Sequence, residues 1–314
     1  MREKFVDHRF SAASLKAIQT INDILAEYAR QGYRLSLRQL YYQLVARGLI
    51  ENSVRSYKRT GNLVSDARLA GLVDWDMIED RGRETIVNSH WTSPAEIIRT
   101  AAKAFRVDRW EGQPCYVEVF VEKDALSGIL EPVCRGLDIR FTANRGYSSS
   151  SAMYEAGKRI AGAVEAGVEV HLFYLGDHDP SGIDMTRDIT ERLHLFTWGS
   201  VTRRTVQRLA LNYDQVEQWQ PPENPAKETD SRYKVYVDQF GQSSWELDAV
   251  EPATLAGLVT QAVQNLIDQD TWNEVEKRET AMRQELERYA DEQAKQAGSK
   301  NTEDTGSGDR RKGG

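Results

Sequence analysis

Residues 168–182 read Val-Glu-Val-His-Leu-Phe-Tyr-Leu-Gly-Asp-His-Asp-Pro-Ser-Gly, and the expected fold is worked out from this stretch. Val168 to Leu175 is an apolar run that reads as a strand. Asp177 and Asp179 then occupy alternate positions of extended chain, so their carboxylates project to one side. Pro180 suits the first turn of a following helix. Two anions close together in a partly buried site repel each other, and a hard divalent cation with oxygen ligands relieves that repulsion; magnesium is the natural candidate. The competing reading makes the two aspartates N-cap carboxylates of the helix that begins at Pro180. His178 points the other way in extended chain and is not expected to be a ligand.

Around this stretch, strands and helices alternate. Strands are predicted over 116–121, 139–142 and 168–175, and helices over 125–135, 150–165 and 180–193. A further strand lies within 201–211, Pro221 to Pro225 is a rigid connector, and helices follow over 252–267 and 272–290. The alternation predicts an α/β fold with a mainly parallel, Rossmann-like sheet and functional residues just past the strand C-termini. Glu122, which ends the first of these strands, therefore lies at the same edge as Asp177 and Asp179. Asn144-Arg-Gly-Tyr147 ends another strand there, which makes Arg145 a candidate phosphate clamp.

The N-terminal third has a different texture. Ser11 caps a helix reaching about residue 31, Ser36 caps one over 37–47, and Ser53 caps one reaching about residue 70. Residues 75–83 read as strand, turn and strand, so three helices and a β-wing outline a winged-helix DNA-binding unit. On the second helix Leu37, Leu40, Tyr41 and Leu44 form a core stripe. Tyr42 lies about 100° round from Tyr41, with Arg38 one turn before it on the same side. On the third helix Arg55, Lys58, Arg59 and Asn62 share one face, as a solvated face or a phosphate-contacting one would. The expected domains are 1–110 (helical, winged-helix), 111–290 (metal-binding, with C-terminal helices) and a disordered tail over 291–314, which is rich in Gly, Ser and charge.

Composition agrees with this division. The 314 residues are 40 % hydrophobic and 28 % charged, which excludes disorder of the whole chain. The net charge of −7 conceals 18 basic against 13 acidic residues over 1–110, and 23 against 35 in the remainder. A basic segment joined to an acidic one suggests a polyanion-binding part and a cation-binding part. Cys115 and Cys134 stand in no Cys-x-x-Cys or zinc-finger spacing and read as small buried residues. No apolar run is long enough to span a membrane and residues 1–10 are polar, so the chain is expected to be soluble and cytoplasmic, associated with the nucleoid.

Two motifs carry a resemblance. Val121-Glu-Lys-Asp-Ala125 and Gly176-Asp-His-Asp-Pro-Ser-Gly-Ile183 resemble those of the DNA-cleaving chain of DNA topoisomerase VI and its relative, the meiotic double-strand-break transesterase. That family joins a winged helix to a Toprim domain. The resemblance implies that Glu122, Asp177 and Asp179 hold magnesium beside the scissile phosphate. Lys123 and Asp124 belong to the same motif, and by residue type Lys123 is a candidate phosphate contact and Asp124 a candidate cap of the next helix.

Ser36-Leu-Arg-Gln-Leu-Tyr-Tyr-Gln-Leu44 resembles the family's nucleophile motif, which indicates Tyr42 as the nucleophile. A phenol needs a nearby cation to favour its phenolate, and Arg38 and the metal would provide that field; the competing reading has both tyrosines packing the helix, with Tyr42 partly exposed. Residues 225–232 and Trp245-Glu-Leu-Asp-Ala249 look like the close of the same Toprim region, with no chemistry assigned to them. The implied activity is magnesium-dependent cleavage of double-stranded DNA that leaves a 5′-phosphotyrosyl link and a free 3′-hydroxyl. It would be performed by a homodimer in which the tyrosine of one protomer approaches the metal site of its partner.

Topoisomerase VI also uses a separate ATPase subunit, and this chain has no Gly-x4-Gly-Lys-Ser/Thr loop of its own. The alternatives are a Toprim endonuclease that hydrolyses DNA with water, and a non-catalytic DNA-binding assembly protein.

Overall fold

The computed structural model describes residues 2–79, 88–144 and 150–306, with side chains to residue 295. Ser11 caps α1 (Ala12–Arg30) by accepting the Ser14 N–H. β1 (Leu35–Ser36) leads into α2 (Leu37–Ala46), whose start is a capping box in which Ser36 and Gln39 each satisfy the other's backbone N–H. α3 (Val54–Leu69) is capped by Ser53, and β2 (Ile78–Glu79) and α4 (Pro94–Ala104) follow. The alternating region comprises β3 (Cys115–Val121), α5 (Ser127–Gly136), β4 (Arg140–Ala143), α6 (Ser150–Glu165), β5 (Glu169–Leu175), α7 (Pro180–Phe196) and β6 (Val206–Ala210). After it come α8 (Tyr213–Trp219), β7 (Glu223–Pro225), α9 (Tyr233–Phe240), β8 (Ser243–Trp245), α10 (Pro252–Gln264) and α11 (Gln269–Gly306). None of the described helices is long and apolar enough to cross a membrane.

The chain forms two compact units, Met1–Gly82 with Pro114–Leu266, and Arg83–Gln113 with Ile267–Gly314. In the first unit, α1, α2 and α3 bury Ile21, Ile24, Leu25, Leu40, Leu44 and Val64 in one cluster, as their helical spacing dictates. The expected wing differs. Trp75–Met77 is a 3-10 turn started by Asp74, which accepts the Asp76 N–H. Ile78–Glu79 pairs in parallel with Leu35–Ser36. Arg68 holds this arrangement by donating to the carbonyls of Trp75 and Ile78, and residues 80–87 lie outside the described ones.

The sheet is the mainly parallel one expected. Its order is β4-β3-β5-β6, and every pair is parallel, with Val121 opposite both Ala143 and Leu175. Alternate residues Val117, Val119 and Val121 are buried, as are Phe120, Leu172 and Tyr174, which pack with α6 and α7; both faces of the sheet are therefore covered. β3 connects to β4 on one side while β5 lies on the other. The chain thus reverses direction across the sheet between β3 and β5, where a crevice opens at their carboxyl ends. Glu122 and Asp177 follow these two strands.

In the second unit α4 packs along α11. Glu279 of α11 is 1 % exposed, accepts the Val107 N–H at 3.1 Å, and pairs with Arg109 and Arg283. The helix was expected to end near residue 290, before a disordered tail from 291. It continues to Gly306; Glu-Gln-Ala-Lys-Gln-Ala over 292–297 favours helix and no proline interrupts it, and residues 307–314 of the expected tail lie outside the described ones.

Candidate active site at the carboxyl edge of the sheet

Parallel pairing brings Glu122 and Asp177 together. The Glu122 N–H extends the ladder to the Leu175 carbonyl at 2.9 Å, and Glu122 Oε2 accepts the Asp177 N–H at 2.8 Å. Gly176 lies between them because a side chain there would collide with the Tyr174 hydroxyl and come within 2.7 Å of Glu122 Oε2. Both acids are buried. Burial, reinforced by the neighbouring Asp177 carboxylate, holds Glu122 well above the usual carboxylate range; burial likewise raises Asp177, against the pull of Lys123.

Asp177 is tied down by two partners from other segments. Its Oδ1 accepts the Leu247 N–H at 2.8 Å, and its Oδ2 lies 2.7 Å from the Lys123 ammonium. Lys123 also meets Glu246 at 3.0 Å and Asp248 at 3.4 Å. Burial acts to raise the Glu246 pKa, but Lys123 and Arg38 outweigh it and hold the group below its ordinary value. Glu246 and Asp248 were assigned no chemistry from the sequence. Their signal was an acid-x-acid pattern directly after a strand, the same pattern that drew attention to Asp177 and Asp179.

The tyrosine helix reaches this cluster in the same chain. Arg38 pairs with Glu246 and, at 3.4 Å, with Asp248. Tyr42 is 3 % exposed and packs with Tyr41 and Ala249, so α2 buries a second side besides its Leu40–Leu44 stripe. Tyr41, predicted to join that stripe, instead lies with Tyr42; its hydroxyl donates to Asn52 and accepts the Ser53 N–H. Asn224 donates to the Tyr42 hydroxyl at 3.3 Å. Burial and then Glu246 raise the Tyr42 pKa, while Asn224 and Arg38 oppose the rise. A cavity of about 380 Å³ opens here, lined by Arg38, Tyr41, Tyr42, Tyr57, Asn224 and Glu246.

The other expected residues divide. Asp179 is the N-cap of α7, accepting the Gly182 N–H at 2.6 Å and the Ser181 hydroxyl at 2.9 Å, so the capping alternative describes it and not Asp177. The His178 ring turns away from the acids into a box of Tyr213, Tyr236, Phe240 and Trp245, where burial lowers its pKa to about 4. Lys123 faces carboxylates, and Asp124 accepts from Ser127 at 3.3 Å. Arg55, Lys58 and Arg59 are exposed on α3. Arg145 lies outside the described residues.

Among the described residues no three Asp, Glu, His or Cys side chains are gathered to hold an ion. Asp177 is bonded to Lys123 and Leu247, and Asp179 to the start of α7. The donor chemistry nevertheless fits a hard cation, since two buried carboxylates with raised pKa values meet at the crevice. Comparison with family models, curated proteins and solved structures finds no match.

Proposed function

We propose that this protein cleaves double-stranded DNA in a magnesium-dependent reaction, on the winged-helix and Toprim plan of the DNA-cleaving chain of topoisomerase VI, with Tyr42 as nucleophile. The observation that carries the proposal is the seating of α2 on the acidic edge. Arg38 pairs with Glu246 and Asp248, and Lys123 joins those two acids to Asp177.

The phenol oxygen of Tyr42 would attack phosphorus and lose its proton, and the departing 3′ oxygen would take one up. Asn224 and Arg38 stabilise the phenolate by hydrogen bond and charge. Glu122 and Asp177 would hold magnesium, joined by Asp179 on release from its cap of α7, and the ion when bound would supply positive charge beside the scissile phosphate. The exposed Arg55, Lys58 and Arg59 supply cations for the DNA backbone. The resemblance implies a tyrosine that approaches the partner's metal site, whereas α2 here meets the acidic edge of its own chain, so a homodimer on this arrangement would present one such assembly to each strand. ATP-driven gating, where it operates, would come from a separate ATPase chain.

A second reading has its own support. Tyr42 is nearly inaccessible, and burial followed by Glu246 raises its pKa, which disfavours the phenolate and favours water as the nucleophile. Incubation with supercoiled plasmid and magnesium, stopped with detergent and run with and without protease, separates the two. Cut DNA that enters the gel only after proteolysis supports the tyrosyl link, and freely migrating cut DNA supports hydrolysis. Absence of cutting overturns both.

A further inference from the structure

Asp248 is 2 % exposed, and its Oδ1 has no hydrogen-bond partner. A buried carboxylate oxygen left without a donor is costly, and a bound cation is one partner that would satisfy it. The other oxygen of Asp248 lies 3.4 Å from both the Lys123 ammonium and the Arg38 guanidinium. Lys123 in turn sits 2.7 Å from Asp177 and 3.0 Å from Glu246, so three carboxylates surround a single ammonium. Three carboxylates there face two cations, Arg38 and Lys123, so displacement of the Lys123 ammonium would leave two negative charges uncompensated, the charge of one divalent ion.

We propose that Asp177, Glu246 and Asp248 form a divalent-cation site of their own, sharing Asp177 with the Glu122 side of the crevice, and that the Lys123 ammonium masks it in the free protein. An ammonium and a hard cation want the same oxygens, so each excludes the other. Lys123 and Arg38 are also the groups an entering phosphodiester would pair with, and such pairing would free the three carboxylates. That last step rests on the DNA reading, whereas the masked site does not.

The test is binding, not cleavage. Terbium(III), an oxygen-seeking luminescent stand-in excited through the nearby Tyr42 and Trp245, is titrated into the full chain and competed with magnesium. Lys123→Gln is expected to bind it about tenfold or more tightly than the unaltered protein, because the competing ammonium is gone. Adding Asp248→Asn to that variant is expected to remove the gain. Arg38→Gln, at a side chain 43 % exposed, provides a second variant in which the gain is smaller but in the same direction. If Lys123→Gln does not fold, as judged by near-ultraviolet circular dichroism, Arg38→Gln carries the test.

Unchanged affinity in the folded variant overturns the proposal. So does a gain that survives Asp248→Asn. A gain abolished by Glu122→Gln but not by Asp248→Asn would place the ion at the Glu122 side, overturning this site while leaving the DNA reading intact. Failure of the plasmid assay would have no bearing on the terbium result.

Discussion

Asp177 Oδ2 lies 2.7 Å from the Lys123 ammonium, so the residues that follow two neighbouring parallel strands are locked across the crevice between them. The lock extends through Glu246 and Asp248 to Arg38, which makes it the link between the sheet edge and the tyrosine helix. Breaking it at either end should have separable effects on cutting, DNA binding and stability.

Asp177→Ala removes the acceptor of the Leu247 N–H and one of three anions around Lys123. Magnesium-dependent cutting of plasmid is expected to disappear while gel-shift binding of duplex DNA persists, since Arg55, Lys58 and Arg59 are untouched. Stability should fall by about 1–3 kcal/mol, the cost of leaving a buried donor unpaired. Retained cutting would remove Asp177 from the chemistry.

Tyr42→Phe deletes one hydroxyl and its bond from Asn224. The fold should keep its stability to within about 1.5 kcal/mol, measured by urea denaturation. Under the proposed reaction, protein-linked DNA ends vanish completely. Cutting that continues at the unaltered rate would assign the nucleophile to water.

Replacing Arg55, Lys58 and Arg59 together by alanine should weaken duplex binding uniformly across sequences. The slope of log affinity against log salt should become shallower by roughly 3, one for each phosphate no longer neutralised. Because all three are exposed, thermal stability should barely change. An unaltered salt slope would show that α3 does not touch the backbone.

Glu279 gives a pH dependence of known sign. Burial acts to raise its pKa, but the Val107 N–H, Arg109 and Arg283 outweigh that and hold it below the ordinary glutamate value. Its stabilisation is therefore complete above the unfolded value of about 4.3 and is lost as pH falls through the lower folded value. Glu279→Gln should destabilise by about 1–2 kcal/mol at neutral pH, with the difference from the unaltered protein shrinking in acid. A pH-independent difference in denaturation midpoint would contradict this.

Much of the fold was legible because its signals are local. Apolar periodicity and capping residues place α1, α2, α3, α6 and the strands β3 and β5 within a few residues of where they lie. The wing departs from its reading over residues 75–77, which Asp74 and Arg68 hold as a 3-10 turn, while Ile78–Glu79 is a strand that pairs in parallel with β1. Helices α8 and α9 were not anticipated; each is short, and α9 is seated by Tyr236 bonding His178 from 58 positions away.

By itself the sequence determined which residues stand at the sheet edge. Period-two and period-3.6 patterns, with the glycine and proline after β5, put Glu122 and Asp177 at strand ends and Asp179 at the start of a helix. Only the tertiary structure decided what these acids face. Lys123 meets Asp248 across 125 residues, Asp177 meets Leu247 across 70, and Tyr42 meets Asn224 across 182. Such meetings depend on the strand order and on which helix face packs where. An isolated segment carries no record of them, because its own periodicity is satisfied equally well by any partner of matching shape and charge.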